Sequence, residues 1–299
     1  GNEMLEIENL YKSYGKLDVL IDLNLKLEEN KIYGLLGRNG VGKTTLLKLI
    51  SSQITRNSGE ILLDGNEIFE NAETMKNICL AKELPIPVRE RKVKDIFAFA
   101  KIAYMEWDEE YKNYLVKEFN IDTKKKLIKL STGNQTIVGL IIGLASRAKL
   151  TMFDEPTLGL DAAYRDKFYD LLLEDYEKYP RTVIISTHLI DEVANLFEEI
   201  IILNDGKISL KYDVDNLKEK SSYLSGSYDL LLPFIKEKNI VYEEELGSTK
   251  IIGIYDNLTE SDLEYIKKND IEINKIPIQK LFIYLTQPTK KEDIHESIK

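Results

Sequence analysis

The stretch Gly37 to Thr45, GRNGVGKTT, carries the clearest chemistry in the chain. It fits the phosphate-binding pattern G-x-x-x-x-G-K-[ST], with Gly37, Gly42, Lys43 and Thr44 in the defining places and Asn39 and Gly40 within the loop. Glycines let the backbone wrap close around phosphates, and the N-terminus of a following helix offers free N–H groups and a positive dipole end. Lys43 adds a cation for the β- and γ-phosphates, and Thr44 puts a hydroxyl where Mg²⁺ would sit. Farther on, the apolar run in LTMFDEP ends in Asp154 and Glu155, and the run TVIIST delivers His188. An acid at the carboxyl end of a strand beside the loop strand can hold a magnesium hydration shell, and a second acid can polarise an attacking water. A histidine at a neighbouring strand end can hydrogen-bond the transferring group. These residues together imply a nucleoside triphosphate site equipped for hydrolysis.

The flanking residues supply the elements such a site needs. KIYGLLG, from Lys31, reads as a short buried strand entering the loop. TTLLKLISSQ reads as the helix leaving it, with Leu46, Leu47 and Ile50 on one apolar face. Two alternating strand patterns come first, MLEIENLYKSYG and VLIDLNLKLEE. Simple phosphate-loop kinases and small GTPases usually begin at the loop strand, so this opening sets the chain apart. SGEILLDGNEI reads as a hairpin turning at Asp64-Gly65. KNICLAKELPIPVRE reads as a loop because of its two prolines. From Val93 to about Lys129 the pattern is helical and heavily charged, an inserted helical subdomain. LSTGNQ, Leu130 to Gln135, then opens a long apolar helix.

A chain of 299 residues can form one large domain or two smaller ones. Its net charge of −10 argues against a broad electrostatic grip on nucleic acid, and no nucleic-acid partner is expected. The lone cysteine, Cys79, lies in the apolar run NICLA and reads as a small core residue rather than a nucleophile. The longest uncharged apolar stretch, IVGLIIGLA, is too short to span a bilayer, and no secretory pattern opens the chain. The expected place is therefore cytoplasmic, with any membrane role exercised through a partner.

In order and spacing, these motifs resemble the ATP-binding subunit of an ABC transporter, over residues 4 to about 210. The resemblance implies an α/β fold: a P-loop NTPase core of mostly parallel sheet flanked by helices, an N-terminal antiparallel β subdomain, and a helical subdomain at about 88–135. It implies ATP and Mg²⁺ as cofactors, a separate membrane permease as partner, and ATP hydrolysis coupled to transport. It assigns Tyr14 to stacking on adenine, Lys43, Thr44 and Thr45 to phosphates and metal, Asp154 to the metal, Glu155 to catalysis and His188 to the γ-phosphate. Ser131 and Gly133 belong to the signature motif, which contacts the nucleotide of the other subunit, and Asp161 to the loop crossing between subunits. Two chains, a homodimer or a pair of related subunits, would therefore join head to tail and bury two ATP molecules, as a closed twofold pair requires.

Two departures accompany the resemblance. The signature is usually L-S-G-G-Q, whereas Thr132 here replaces the first glycine and Asn134 the glutamine, with Ser131 and Gly133 kept. Where the family commonly has a metal-touching glutamine, the alignment puts Glu83, in AKELP; a carboxylate can approach a cation but cannot donate a hydrogen bond.

The expected domains are 4–212 for the ATPase and 215–290 for a small α+β appendage, followed by a polar tail, 291–299. The appendage reads as helix, strand, strand, helix, strand with a turn at Gly247-Ser248. Thr259 and Asp262 mark a helix start, and Pro277 to Gln287 forms a closing helix. That last segment is similar to the closing helix of subunits serving drug, antibiotic and peptide exporters, which favours export. The alternative is a soluble ATPase of the same superfamily acting on ribosomes or DNA. The ribosome-acting kind carries two cassettes, whereas one phosphate loop occurs here, and the DNA-repair kind needs a long coiled coil that the sequence lacks. A GTPase is disfavoured by the absence of N-K-x-D, and a sensor without turnover by the presence of both Glu155 and His188.

Overall fold

A computed structural model describes residues 2–38, 40–190 and 194–286. These fall into two compact units, one within 1–189 and 195–211, the other within 190–194 and 212–299.

The first unit contains two sheets. β1 (Glu3–Tyr14) and β2 (Leu17–Glu28) pair antiparallel, and β4 (Ser58–Leu63) and β5 (Asn66–Glu67) extend them in the order β2-β1-β4-β5. The β4–β5 turn has positive φ at both Asp64 and Gly65, as the tight hairpin of that dipeptide requires. The second sheet holds β3 (Ile32–Leu36), β6 (Ile78–Ala81), β7 (Leu150–Asp154), β8 (Thr182–Thr187), β9 (Glu199–Asn204) and β10 (Lys207–Asp213), in the order β10-β9-β3-β8-β7-β6. From β9 to β6 every pairing is parallel. Such strands are covered on both faces and read as continuous apolar runs, which is what IYGLL and TVIIS are.

The loop reading of KNICLAKELPIPVRE is corrected at its start. Ile78–Ala81 is the edge strand β6, parallel to β7, and Cys79 within it is fully buried. Its prolines act only afterwards, Pro85 preceding a short helix.

Helices pack on this sheet. α1 (Lys43–Ile50) follows the phosphate loop. α2 (Ala72–Met75) and α3 (Ile86–Arg89) are single turns. α4 (Val93–Ala103) and α5 (Glu109–Glu118) form the inserted subdomain, ahead of α6 (Thr132–Ser146) and α7 (Ala162–Lys178). Ser131 caps α6, its hydroxyl accepting from the Asn134 N–H, and Asp161 caps α7 in the same way from Tyr164.

The far end of α6 is clamped by buried charge. Arg147 donates to Asp108 at 2.6 Å and to Asp175 at 2.7 Å, and Arg181 donates to the other Asp175 oxygen at 2.9 Å. The Arg147 guanidinium also lies 3.5 Å from the Tyr179 ring centroid. Asp108 caps α5, and its own N–H donates to Ala145. The inserted helices are thereby tied to the helix that begins at Ser131.

The second unit contains α8 (Val214–Lys220), then β11 (Ser221–Gly226), α9 (Tyr228–Glu237), β12 (Ile240–Leu246), β13 (Thr249–Tyr255), α10 (Glu260–Lys268) and β14 (Glu272–Asn274), closed by α11 (Ile278–Thr286). The strand β11 was not foreseen. With it the unit is βαββαβ, its sheet ordered β12-β13-β11-β14 and antiparallel throughout, the split βαβ arrangement of ferredoxin-like folds. Leu224, Ile252, Ile254, Leu231, Phe234 and Ile266 form its core. Strand alternation sends Tyr223 and Tyr242 to the opposite face, where Tyr284 of α11 stacks on Tyr242 at 4.7 Å and shares a hydrogen bond with the Tyr223 hydroxyl. The expected tail, 291–299, and Gln287 lie outside the described residues.

Thr259 and Asp262 form a complete capping box at the start of α10. Thr259→Ala removes one side of it, and a loss of about 1 kcal/mol is expected. Earlier hydrogen exchange along α10, with the first unit unchanged, is the check.

Candidate functional site

The phosphate loop joins β3 to α1 and owes its path to glycine. A Cβ on Gly37 would lie 2.7 Å from the Leu203 carbonyl oxygen, and Gly40 and Gly42 hold φ of 83° and 104°, open only to residues without a side chain. Asn39 lies outside the described residues. Thr45 sits beside Thr44 in the first turn of α1, which has no acidic residue to oppose an anion.

Lys43 is the centre of the group. Its ammonium is buried and donates to the Gly37 carbonyl at 2.7 Å, to Glu155 at 3.3 Å and to the Thr187 carbonyl at 3.3 Å. Glu155 in turn faces His188, whose Nδ1 is 3.0 and 3.1 Å from the two carboxylate oxygens. Opposite a carboxylate, that nitrogen is the one carrying hydrogen. Glu155 has φ of 45°, a left-handed backbone that costs a non-glycine residue about 1 kcal/mol or more. Its N–H is held by the backbone oxygen and the hydroxyl of Ser186, both at 3.1 Å.

Asp154 ends β7 one residue earlier and points to α1, accepting from the Thr44 hydroxyl at 2.8 Å and from the Ser186 hydroxyl at 2.5 Å. Magnesium usually binds through one or two carboxylates, substrate phosphates and water, so one carboxylate and one hydroxyl side by side suit it. Ser186 holds both acids and escaped the sequence reading. Its only signal was its place in TVIIST, two residues before His188.

Glu83 is not brought to this group. Its carboxylate is 81% exposed and pairs with Arg89 at 3.1 Å. The residue before it, Lys82, is the one that feels the Asp154 charge. Desolvation and the Lys48 ammonium push the Lys82 pKa down, while Asp154 pulls the other way.

Tyr14 ends β1 half-exposed, with Lys12 over its ring at 4.9 Å. It pairs with Leu17 across the hairpin, and Val19, two residues on, meets Gly42 of the phosphate loop. The adenine candidate thus stands at the loop's edge. Tyr11 is also exposed on the same strand.

Ser131, Gly133 and Asp161 form a second group. Gly133 lies against the Gly159 carbonyl and Leu160, in the loop that runs to Asp161. Among the described residues, no hydrogen bond or ion pair joins Ser131 or Gly133 to Lys43, Thr44, Asp154, Glu155 or His188.

The ABC transporter family profile matches residues 20–158. The ABC transporter ATP-binding protein YtrB of Bacillus subtilis is 31% identical over 289 residues, 94% of this chain and 97% of its own length. The lantibiotic transport ATP-binding protein SrtF of Streptococcus pyogenes is 30% identical, covering 72% of this chain and 95% of its own. The taurine import ATP-binding protein TauB of Escherichia coli O157:H7 is 34% identical, covering 68% and 80%. Among solved structures, an ATP-binding subunit of an ABC transporter superposes with a TM-score of 0.64 at 24% identity, over 72% of this chain and 91% of that one. The ADP- and phosphate-bound dimer of the cassette MJ0796 superposes with a TM-score of 0.61 at 22% identity, over 71% and 99%. With likeness to YtrB running nearly end to end in both chains, the protein belongs to the ATP-binding proteins of ABC transporters, ATPases whose hydrolysis is coupled to transport through a membrane permease.

Proposed function

We propose that two copies of this chain pair head to tail, enclose two Mg-ATP molecules, and drive an exporter of the drug, antibiotic or peptide type. The observation that carries the catalytic part is the convergence of Lys43, Glu155 and His188 beside the Thr44–Asp154 pair. In this reading Lys43 leaves the Gly37 carbonyl for the β- and γ-phosphates. Glu155 orients the attacking water and accepts its proton, and His188 holds Glu155 and the γ-phosphate in line. Thr44 and Asp154 would hold Mg²⁺, which when bound would supply charge neutralisation to the phosphate. Phosphoryl transfer asks little more than such positioning and charge stabilisation.

The pairing is supported by Ser131 and Gly133 standing with the Gly159–Leu160 loop, with no hydrogen bond to the Lys43 group among the described residues, and by the dimeric form in which the MJ0796 cassette was solved. Ser131 and Gly133 of one copy would close the nucleotide held by the other, while Asp161 lies at the crossing. Tyr14 would stack on adenine. The chain then sits at the inner face of the cell membrane, held by its permease; no described helix is long and apolar enough to cross a membrane.

Two exposed apolar residues support a permease contact. Phe99 and Ile102 of α4 are 63% and 80% exposed, three residues apart on one helix face, and Met105 follows exposed. Phe99→Ser with Ile102→Ser is expected to lower co-purification of the permease by about tenfold, the scale of losing two apolar anchors, with ATP affinity retained. Unchanged recovery would place the contact elsewhere.

Export is favoured by the likeness to SrtF, a lantibiotic transport protein, and by the closing helix α11. TauB, an import protein, weighs against it. Deleting the gene and testing sensitivity to peptide antibiotics separates the two. Heightened sensitivity, restored by the wild-type chain and not by Glu155→Gln, supports export; loss of growth on a nutrient supports import.

A further inference from the structure

We infer that Lys82 is a fixed cation of the nucleotide site, supplying positive charge to the triphosphate from the side where Thr44 and Asp154 would hold the metal.

The placement follows from the sheet. In the parallel register of β6 and β7, Ala81 stands abreast of Phe153, so the next residues, Lys82 and Asp154, are neighbours at the carboxyl end. A Cβ on Gly143 of α6 would meet both Ala81 and Phe153, so that pair faces α6. Side chains alternate along a strand, which turns Lys82 and Asp154 to the other face, that of α1. The Thr44–Asp154 hydrogen bond shows that Asp154 does point there. Lys48 lies one turn beyond Thr44 on α1 and therefore on the same face. The Lys82 ammonium is consequently set among Lys48, Asp154 and the helix that cradles phosphate, and it interacts electrostatically with both side chains. The same alternation carries Glu83 away, to Arg89.

The consequence is a division of labour in neutralising charge. Opposite charges held close together in a partly screened site attract appreciably. A cation beside the metal-holding acid attracts ATP that carries no metal, and it competes with a divalent ion for the same field. Lys82 thereby gives the site residual affinity for metal-free ATP and moderates its preference for Mg-ATP.

The inference rests on reading the site as one for Mg-ATP, and the test separates the two. Titration calorimetry of the full chain is run with ATP in EDTA and with Mg-ATP, for wild type, Lys82→Met and Lys82→Arg. Lys82→Met is expected to weaken binding of metal-free ATP about tenfold while Mg-ATP binding changes less than about threefold, and Lys82→Arg is expected to restore the metal-free affinity. Equal losses in both conditions would mark Lys82 as merely structural and overturn the inference. So would no loss in either condition. Wild type that fails to bind Mg-ATP would instead overturn the reading of the site itself.

Discussion

Glu155→Gln is expected to slow ATP turnover by about a hundred- to ten-thousandfold, the range that a positioned general base contributes. The amide has nearly the shape of the carboxylate, so its oxygen can still accept from Lys43 and His188, which lie 3.3 and about 3 Å away. What it loses is basicity toward the attacking water. It also loses a negative charge next to the arriving γ-phosphate, so ATP affinity is expected to hold or rise. Binding without hydrolysis leaves both nucleotides in place, and the variant accumulates as an ATP-bound dimer. Single-turnover phosphate release, alongside sedimentation with saturating Mg-ATP, measures both effects. Turnover near the wild-type rate would remove Glu155 from the chemistry, and a persistent monomer would remove the head-to-tail pairing.

The second large effect is on stability. Asp175 is almost wholly buried and lies between two cations, Arg147 and Arg181, each within 2.9 Å. Asp175→Ala leaves both guanidinium groups without their shared anion, in a place where water cannot replace it. Breaking a buried pair in this way costs about 3–5 kcal/mol, far more than the pair's net value against an apolar substitute. The denaturant midpoint of the first unit should fall accordingly. A loss below about 1 kcal/mol would mean that the arginines find other partners. Because Arg147 closes α6 and binds the cap residue of α5, the same variant should loosen the helix that begins at Ser131. Stimulation of hydrolysis by a second chain is expected to fall even where the folded fraction is high.

The parts of the fold legible in the sequence were those whose residues make a local pattern. The phosphate loop announces itself because glycine, lysine and threonine must follow at fixed spacing to wrap an anion. Leu150–Asp154 and Thr182–Thr187 read as strands because both faces of a parallel sheet are covered, leaving unbroken apolar runs. The Asp64-Gly65 turn and the Thr259 capping box were equally plain, since each satisfies its backbone within a few residues.

What was missed depended on partners distant in sequence. Ile78–Ala81 is too short to show a period, and nothing local says that it lies beside β7. Register then decides which side chain reaches the site, and it selects Lys82 over the aligned Glu83. Ser186 joins two acids 31 and 32 residues away, a link visible only when β7 and β8 are paired. The strand β11 was obscured because SSYLSG is rich in serine and lacks a clean apolar alternation. Nothing local marks Arg147 as a buried charge, since its partners Asp108 and Asp175 lie 39 and 28 residues away.

The central claim is that this ATPase works on a membrane permease, and one measurement tests it most directly. The chain is purified from its native cells in mild detergent, and the proteins that accompany it are identified by mass spectrometry. The account predicts a multi-span membrane protein in roughly equal amount, its recovery falling about tenfold when Phe99 and Ile102 are both replaced by serine. Recovery with ribosomal proteins or nucleic acid, and no membrane protein, would contradict it.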